Sequence, residues 1–377
     1  MEMIRSNKGM GLALLATVAA AVGVLAATAV AAGGLQRQHA DFNLKMGYVT
    51  GRAHPYGLSM AQYERRVEAA SGGRIDIQLT PVYAGGDDVQ LLNDLNGGTQ
   101  DGGAVSIAVL PSGGINNLIP LQLPFLVDSY ELEQRAITNS SGIARQMLAG
   151  IEKNAPLVPV GLFEGGMRHF VLKNKYVDSL SALKGVKIRA VPSPHLQDTF
   201  IALGAQPTPL AVGDVANAIR SGTVEGAEAN SGLVFTFGWH TAGANRISVA
   251  NIFPFPAVVM FNKAKFNSLP ADLQKVLRDE ANDLAAYSIS VVKDTTTFPT
   301  RLCGAGVRYA GVPDSVRKQM EAATKKVITK YTTKKYRNLA PIVAAIQRQK
   351  ARIKGTPTDT PASSCIDGNA TKFLPKP

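Results

Sequence analysis

Apolar and polar residues alternate at the start of the 184–230 stretch. Val186, Ile188 and Ala190 are separated by Lys187 and Arg189, the period of a short strand. Ser193 and Pro194 then open a helix whose apolar side takes in Leu196, Phe200, Ile201 and Leu203, and Gly204 stands where such a helix ends in positive φ. A second strand is predicted over 205–210, held extended by Pro207 and Pro209. Asp214 is placed to cap the next helix, with Val215, Ala218 and Ile219 inward and Gly222 as the stop. A third strand is predicted over 224–228. Strand and helix alternate with short loops, which predicts an α/β fold with parallel strands and right-handed crossovers. Ligands of such sheets sit beyond the carboxyl ends of the strands. Arg189 lies near the end of the first strand and Asn230 just past the third. An arginine there can grip a carboxylate with two parallel hydrogen bonds.

The same patterns organise the rest of the chain. A first strand is predicted over 42–46, a loop over 51–57, a helix over 59–70 and a half-buried strand over 75–79. Gly85-Gly86-Asp87-Asp88 leads into a helix carrying Val89, Leu92 and Leu95, and 104–109 reads as a short buried strand. An apolar strand over 157–162 leads to Gly165-Gly166, a plausible hinge, with Arg168 just beyond it. Phe235, Phe237 and Trp239 group as core aromatics. From Ser268 onward, Leu273, Val276, Leu277, Ala281, Leu284, Ala285, Ile289 and Val292 recur at three and four, which predicts one helix from a Ser268 cap. At 1.5 Å per residue its 27 or so residues would reach roughly 40 Å. Helices over 314–331 and 336–352 follow, and the composition then shifts to Thr, Pro, Ser and Gly in a weakly ordered tail, 355–377.

Composition narrows the classes. The chain has 377 residues, 45% of them apolar, enough for two ordinary cores. Arg5 and Lys8 precede an apolar run over 10–30, and Ala29-Val30-Ala31 forms a cleavage site before Ala32. A signal peptide over 1–31 is the expected reading and an uncleaved anchor the competing one. The formal net charge is +12, and residues 317–354 carry twelve Lys and Arg against Glu321 alone. No aromatic interleaving accompanies them, so they read as a solvated face and not as a nucleic-acid surface. Cys303 and Cys365 are the two cysteines, free to pair in an oxidising compartment or to remain two thiols. No metal-binding, phosphate-binding or nucleophile motif occurs, and His39, His54, His169, His195 and His240 show no ligand spacing. No cofactor, metal or enzymatic activity is expected.

The blocks "LKGVKIRAVPSP", "LGAQPTPLAVGDVANAI" and "SGTVEGAEAN" resemble those of the DctP-type solute-binding proteins of TRAP transporters. "LPFLVDSYEL", His54-Pro55 and "AGGDDV" extend the resemblance into the first half of the chain, and it stops near Lys354. It implies a two-lobed periplasmic binding protein, type II-like, with a hinge and a long helix spanning both lobes. Residues 40–165 plus 255–294 form lobe I, and 166–254 plus 295–354 form lobe II. The implied ligand is an organic acid, delivered to TRAP permease membrane subunits by a monomer in the periplasm. A receptor serving a sensor or another carrier class is the alternative. Arg189 stands at the position of the family's carboxylate clamp and Arg168 where many members carry a second arginine. Glu225 replaces a usual aspartate. Ala229 replaces a ligand-contacting asparagine, and Asn230, one residue later, is the candidate substitute. His54 and Ser106 are candidate polar contacts from lobe I. Facing the cleft, Arg189 is expected to matter for affinity more than for stability.

Overall fold

The computed structural model describes residues 40–293, 297–353 and 363–367. The predicted signal segment, 1–31, and most of the 355–377 tail lie outside these residues. Eleven strands follow in chain order: β1 Phe42–Tyr48, β2 Ile75–Thr80, β3 Gly102–Ser106, β4 Leu157–Glu164, β5 His169–Leu172, β6 Lys187–Ala190, β7 Gln206–Pro209, β8 Gly226–Ala229, β9 Arg246–Val249, β10 Pro256–Asn262 and β11 Arg308–Gly311.

They fall into two sheets, ordered β2-β1-β3-β10-β4 and β11-β9-β5-β8-β6-β7. In the first, β1 runs parallel to β2 and β3, and β10 antiparallel to β3 and β4. In the second, β6 runs parallel to β7 and β8, as the alternation around Arg189 predicts. Three connections cross between the sheets, β4 to β5, β9 to β10 and β10 to β11. The first two lie side by side. Gly165 N–H donates to Phe255 O at 3.0 Å, Arg168 N–H to Phe253 O at 2.9 Å, and Ile252 N–H to Arg168 O at 2.9 Å. Gly166 has φ 120°, and a Cβ there would come within 2.8 Å of the Asn230 amide. Gly165 has no room either, since its Cβ would meet the Tyr56 ring at 2.4 Å. Both glycines are therefore demanded by close backbone approach.

Several expectations are corrected. The first helix starts at Pro55, not 59, because His54 in extended conformation caps it and Pro55 supplies its fixed φ. The third strand is Gly102–Ser106. Beyond it the apolar run continues as a 3₁₀ segment, Ile107–Gly113, since an unbroken apolar run does not distinguish strand from buried turn. Asp214 closes a short turn in helical conformation, and its side chain makes no cap bond. Ile201 is 58% exposed, while Leu196 and Phe200 are buried.

The expected long helix is two helices, Ala271–Asp279 and Leu284–Lys293, and it begins after Pro270, with no cap from Ser268. Both pieces pack on the Pro55–Ala70 helix and on β4. The break has its causes in that helix. Tyr63 Oη donates to Leu277 O at 2.8 Å, and Arg66 holds Glu280 at 2.6 Å and Asp283 at 3.1 Å. Side-chain partners thus draw the 280–283 turn onto the first helix. The final helix, Ala340–Lys350, was expected on lobe II. It packs instead against Tyr130–Ile137 and Gly142–Asn154, with Lys350 Nζ 2.8 Å from Asp128 Oδ2. Trp239 is fully buried, as a core aromatic should be.

Cys303 and Cys365 are joined in a disulfide with Cα atoms 5.5 Å apart. Beside it, Ile366 pairs with Tyr309 on β11, so 363–367 is held to the second sheet. The bridge closes a separation of 62 residues. Chain entropy for such a loop corresponds to about 4 kcal/mol of stabilisation. The Cys303→Ser/Cys365→Ser double variant is expected to unfold at lower denaturant concentration by up to that amount, read by equilibrium urea unfolding.

Candidate functional site

A narrow cavity of about 20 Å³ is lined by both sheets' elements. The first contributes Thr50 after β1, Asp87 and Asp88 at the start of the Asp88–Gly97 helix, Ser106 at the end of β3, and Phe255 before β10. The second contributes Arg168 before β5, Arg189 near the end of β6, and Val191, Ala211, Val212 and Leu233 on neighbouring loops and helices. Arg189 thus reaches the carboxyl ends of the strands, the place its position in the first strand predicts.

Arg168 and Arg189 share one carboxylate. Glu228, on β8 and fully buried, puts Oε2 3.1 Å from Arg168 Nη1 and Oε1 3.2 Å from Arg189 Nη1. Arg189 Nε also donates to Leu210 O at 3.0 Å, and Arg168 Nη1 to Glu228 O at 3.2 Å. The Arg168 guanidinium lies over the Phe255 ring, 3.6 Å from its centroid. The two arginines are only 2% and 3% exposed. Arg168 Nε is buried without a partner. Burial lowers the pKa of Arg189 to about 10, against the attraction of Glu228 and with the repulsion of Arg168. Two guanidinium groups thus share one ion-paired carboxylate among the described residues, on a wall of the cavity. Such an arrangement receives an anion. The pairing with Glu228 gives Arg189 a structural share beside the affinity role expected of it.

On the opposite wall, Asp87 caps its helix by accepting from Val89 and Gln90 N–H at 2.9 and 3.1 Å. Asp88 is left as the first-turn residue. Its Oδ1 accepts from Ser106 N–H at 2.9 Å. Burial pushes the Asp88 carboxyl up to about 7, more than that hydrogen bond and the positive Arg189 and Arg168 pull it down. Ser106 lines the cavity as expected, with Oγ accepting from Ala108 N–H. Thr50 is buried there with no partner for Oγ1.

Asn230 and His54 do not line this cavity. Asn230 Oδ1 accepts from Leu233 N–H at 2.8 Å, capping Ser231–Thr236, and Nδ2 donates to Gly165 O at 2.7 Å. Its amide is spent on the crossover. His54 Nδ1 accepts from Tyr56 N–H at 3.1 Å and caps its own helix. Ala229, where the resemblance expects an amide, is fully buried. Asp88, Glu228 and Thr50 were not anticipated. Glu228 carried a signal, an acid inside a strand of small buried residues. Which of Asp87 and Asp88 caps was not written locally.

Two further acids sit at the crossover. Glu164 Oε1 accepts from Gly166 N–H at 2.6 Å and Phe255 N–H at 3.1 Å. Glu133 is buried beside it, its pKa raised well above the usual range by burial and then by Glu164. The pKa of Glu164 is raised as well, chiefly by burial.

A family model described as bacterial extracellular solute-binding protein, family 7, matches residues 46–335. A solute-binding protein of Roseobacter denitrificans is 26% identical over 211 residues, 55% of this chain and 62% of that relative. Among solved structures, a TRAP periplasmic solute-binding protein of Ralstonia eutropha H16, with bound (S)-2-acetolactate, is similar at a TM-score of 0.74. It is 24% identical, over 82% of this chain and 99% of that one. A second, from a Bradyrhizobium species and in complex with galacturonate, gives 0.75 at 23% identity, over 81% and 99%.

Two outcomes are expected. Glu228→Gln leaves two buried guanidinium groups without their shared counter-charge, and breaking such a pair costs about 3–5 kcal/mol. Its urea midpoint should fall accordingly. The second concerns His54 and His195, whose pKa values burial lowers to about 3. The unfolded chain protonates both near pH 6.5 and the folded chain does not. This share of stability is therefore complete above 6.5 and is lost as pH falls toward 3, at about 1.4 kcal/mol per unit for each histidine. Wild type should lose its stability advantage over His195→Gln as thermal melts move from pH 7 to pH 4.

Proposed function

The chain belongs to the bacterial extracellular solute-binding proteins of family 7, and from that premise we propose that it is the receptor of a TRAP-type carrier for an organic acid anion. It binds a solute and does not transform it. Arg189 and Arg168 take the ligand's carboxylate, Ser106 lies on the facing wall, and the loaded receptor passes the anion to membrane permease subunits. The observation that carries this reading is the buried arginine pair on the cavity wall, whose shared ion-pair partner among the described residues is Glu228. A ligand carboxylate adds a second partner.

We assign 40–165 plus 255–294 to the first lobe, together with the helix Ala340–Lys350 that packs on it, and 166–254 plus 295–339 to the second, hinged at Gly165-Gly166. The two-sheet division and the paired crossovers support this assignment. No helix among the described residues is long and apolar enough to cross a membrane. A periplasmic location, with cleavage near Ala32, agrees with the extracellular class of the family. The ligands of the two solved neighbours, acetolactate and galacturonate, support an organic acid.

Calorimetric titration with the acid that co-purifies tests the assignment. Truncating one partner of a buried charge pair costs about 2–5 kcal/mol, roughly 30- to several thousand-fold in affinity. Arg189→Lys keeps the charge beside Glu228 but loses the two-pronged grip, so affinity should fall while the protein remains folded. Unchanged affinity in a folded Arg189→Lys protein would remove the clamp.

A further inference from the structure

The crossover holds two buried acids that the arginine clamp does not use. Glu133 and Glu164 are both fully buried. Glu133 lies on the Tyr130–Ile137 helix, which packs on β4, and Glu164 ends β4. Their carboxyl groups are within hydrogen-bond reach of each other. Glu164 Oε1 accepts from Gly166 N–H on one connection and from Phe255 N–H on the other. Glu164 Oε2 and both oxygens of Glu133 are buried without a donor among the described residues. Two ionised carboxylates can only accept, so a proton on one of them supplies the missing bond. The surroundings decide which one. Glu164 has two N–H donors, and the positive Arg168 acts on it. Both favour its ionised form. Glu133 has neither, and the titratable group that acts on it is Glu164. The helices packed on its own send their cations elsewhere: Lys293 to Glu131, Lys350 to Asp128 and Arg145 to Ser140 O. Tyr56, which also faces Glu164, stays neutral, since burial raises its pKa well above the usual tyrosine range.

We propose that Glu133 holds a proton at neutral pH and donates it to Glu164 Oε2, and that this proton locks the crossover between the sheets. It ties the Tyr130–Ile137 helix to Glu164, and through Glu164 to both connections. The same helix holds the first connection at a second point, where Tyr130 Oη accepts from Met167 N–H at 3.2 Å. Loss of the proton sets two buried carboxylates against each other, with no cation on the Glu133 side. Like charges so placed are strongly disfavoured. The contact then opens, and Glu164 leaves the position from which it accepts from Gly166 and Phe255 N–H. Alkaline pH therefore loosens the connection at Gly165-Gly166. The raised pKa of Glu133, from burial first and Glu164 second, agrees with this assignment. The folded chain keeps the proton above the ordinary glutamate value of 4.5, where the unfolded chain has lost it. Its share of stability is complete below 4.5 and is lost as pH rises toward the folded value.

The test compares the intact protein with its Glu133→Gln variant, whose amide can donate to Glu164 Oε2 at any pH. Urea unfolding of both is followed from pH 5 to pH 9. Wild type should lose stability relative to the variant by about tenfold in the folding equilibrium per pH unit, until Glu133 ionises in the folded protein. Other titrating groups, the histidines included, cancel in the difference. A difference that stays flat over this range overturns the proposal. Hydrogen exchange at pH 8 separates a lock from a general loss of stability. The amides of Gly166, Met167 and Phe255 should exchange at least about tenfold faster in wild type than in the variant, and those of β1 alike in both. Equal acceleration in β1, or none at the crossover, overturns the lock. If Glu133→Gln does not fold, infrared spectroscopy of Asp88→Asn reads the pair without it. That variant removes the other acid whose pKa burial brings to about 7. The C=O stretch of a protonated carboxyl should persist in it at pH 7, and its absence overturns the proposal.

Discussion

Glu228 is the constraint on which the site depends. It stands fully buried between two arginines that are themselves nearly inaccessible. Removing any one of the three from water unaided would be prohibitive, so each is tolerated because the others are in place. The triad fixes three chain segments at once: β8 through Glu228, the end of β6 through Arg189, and the start of β5 through Arg168. Because β5 and β6 both pair with β8, the two guanidinium groups are delivered from either side of the same strand. In the proposed function the same arginine pair would meet the ligand's anion, so one interaction would serve stability and function.

The second constraint is the crossover. Glu164 accepts from Gly166 and Phe255 N–H, and so joins the two connecting segments. Asn230 ties the first of them to the helix after β8 through Gly165 O. Tyr56 stacks on Phe255, with centroids 4.7 Å apart, and its hydroxyl donates to Phe255 O. Phe255 in turn carries the Arg168 guanidinium on its face. A continuous set of contacts thus runs from the cap of the first helix, through the two glycines, to the arginine pair. Relative movement of the sheets would work on these contacts, and the arginine pair lies directly beside them.

Local order was legible in the amino-acid sequence because its signals are local. The alternation at Val186, Ile188 and Ala190, the helix stops at Gly204 and Gly222, and the parallel three-strand unit all depend on neighbours within a few residues. Gly204 and Gly222 do adopt positive φ. The Arg189 position was legible for a related reason, since a strand end in a parallel unit is a site by geometry. Tertiary structure decided the rest. The apparent long helix is broken because Tyr63 and Arg66, some 214 residues earlier, draw its middle onto another helix. Asn230 and His54 cap helices because backbone N–H groups claimed them first. Glu228 and Asp88 become site residues only when distant strands and a helix start bring them to one cavity. Periodicity reports which face of an element is buried, but the partner of a buried charge is chosen by the packing of elements far apart in the chain.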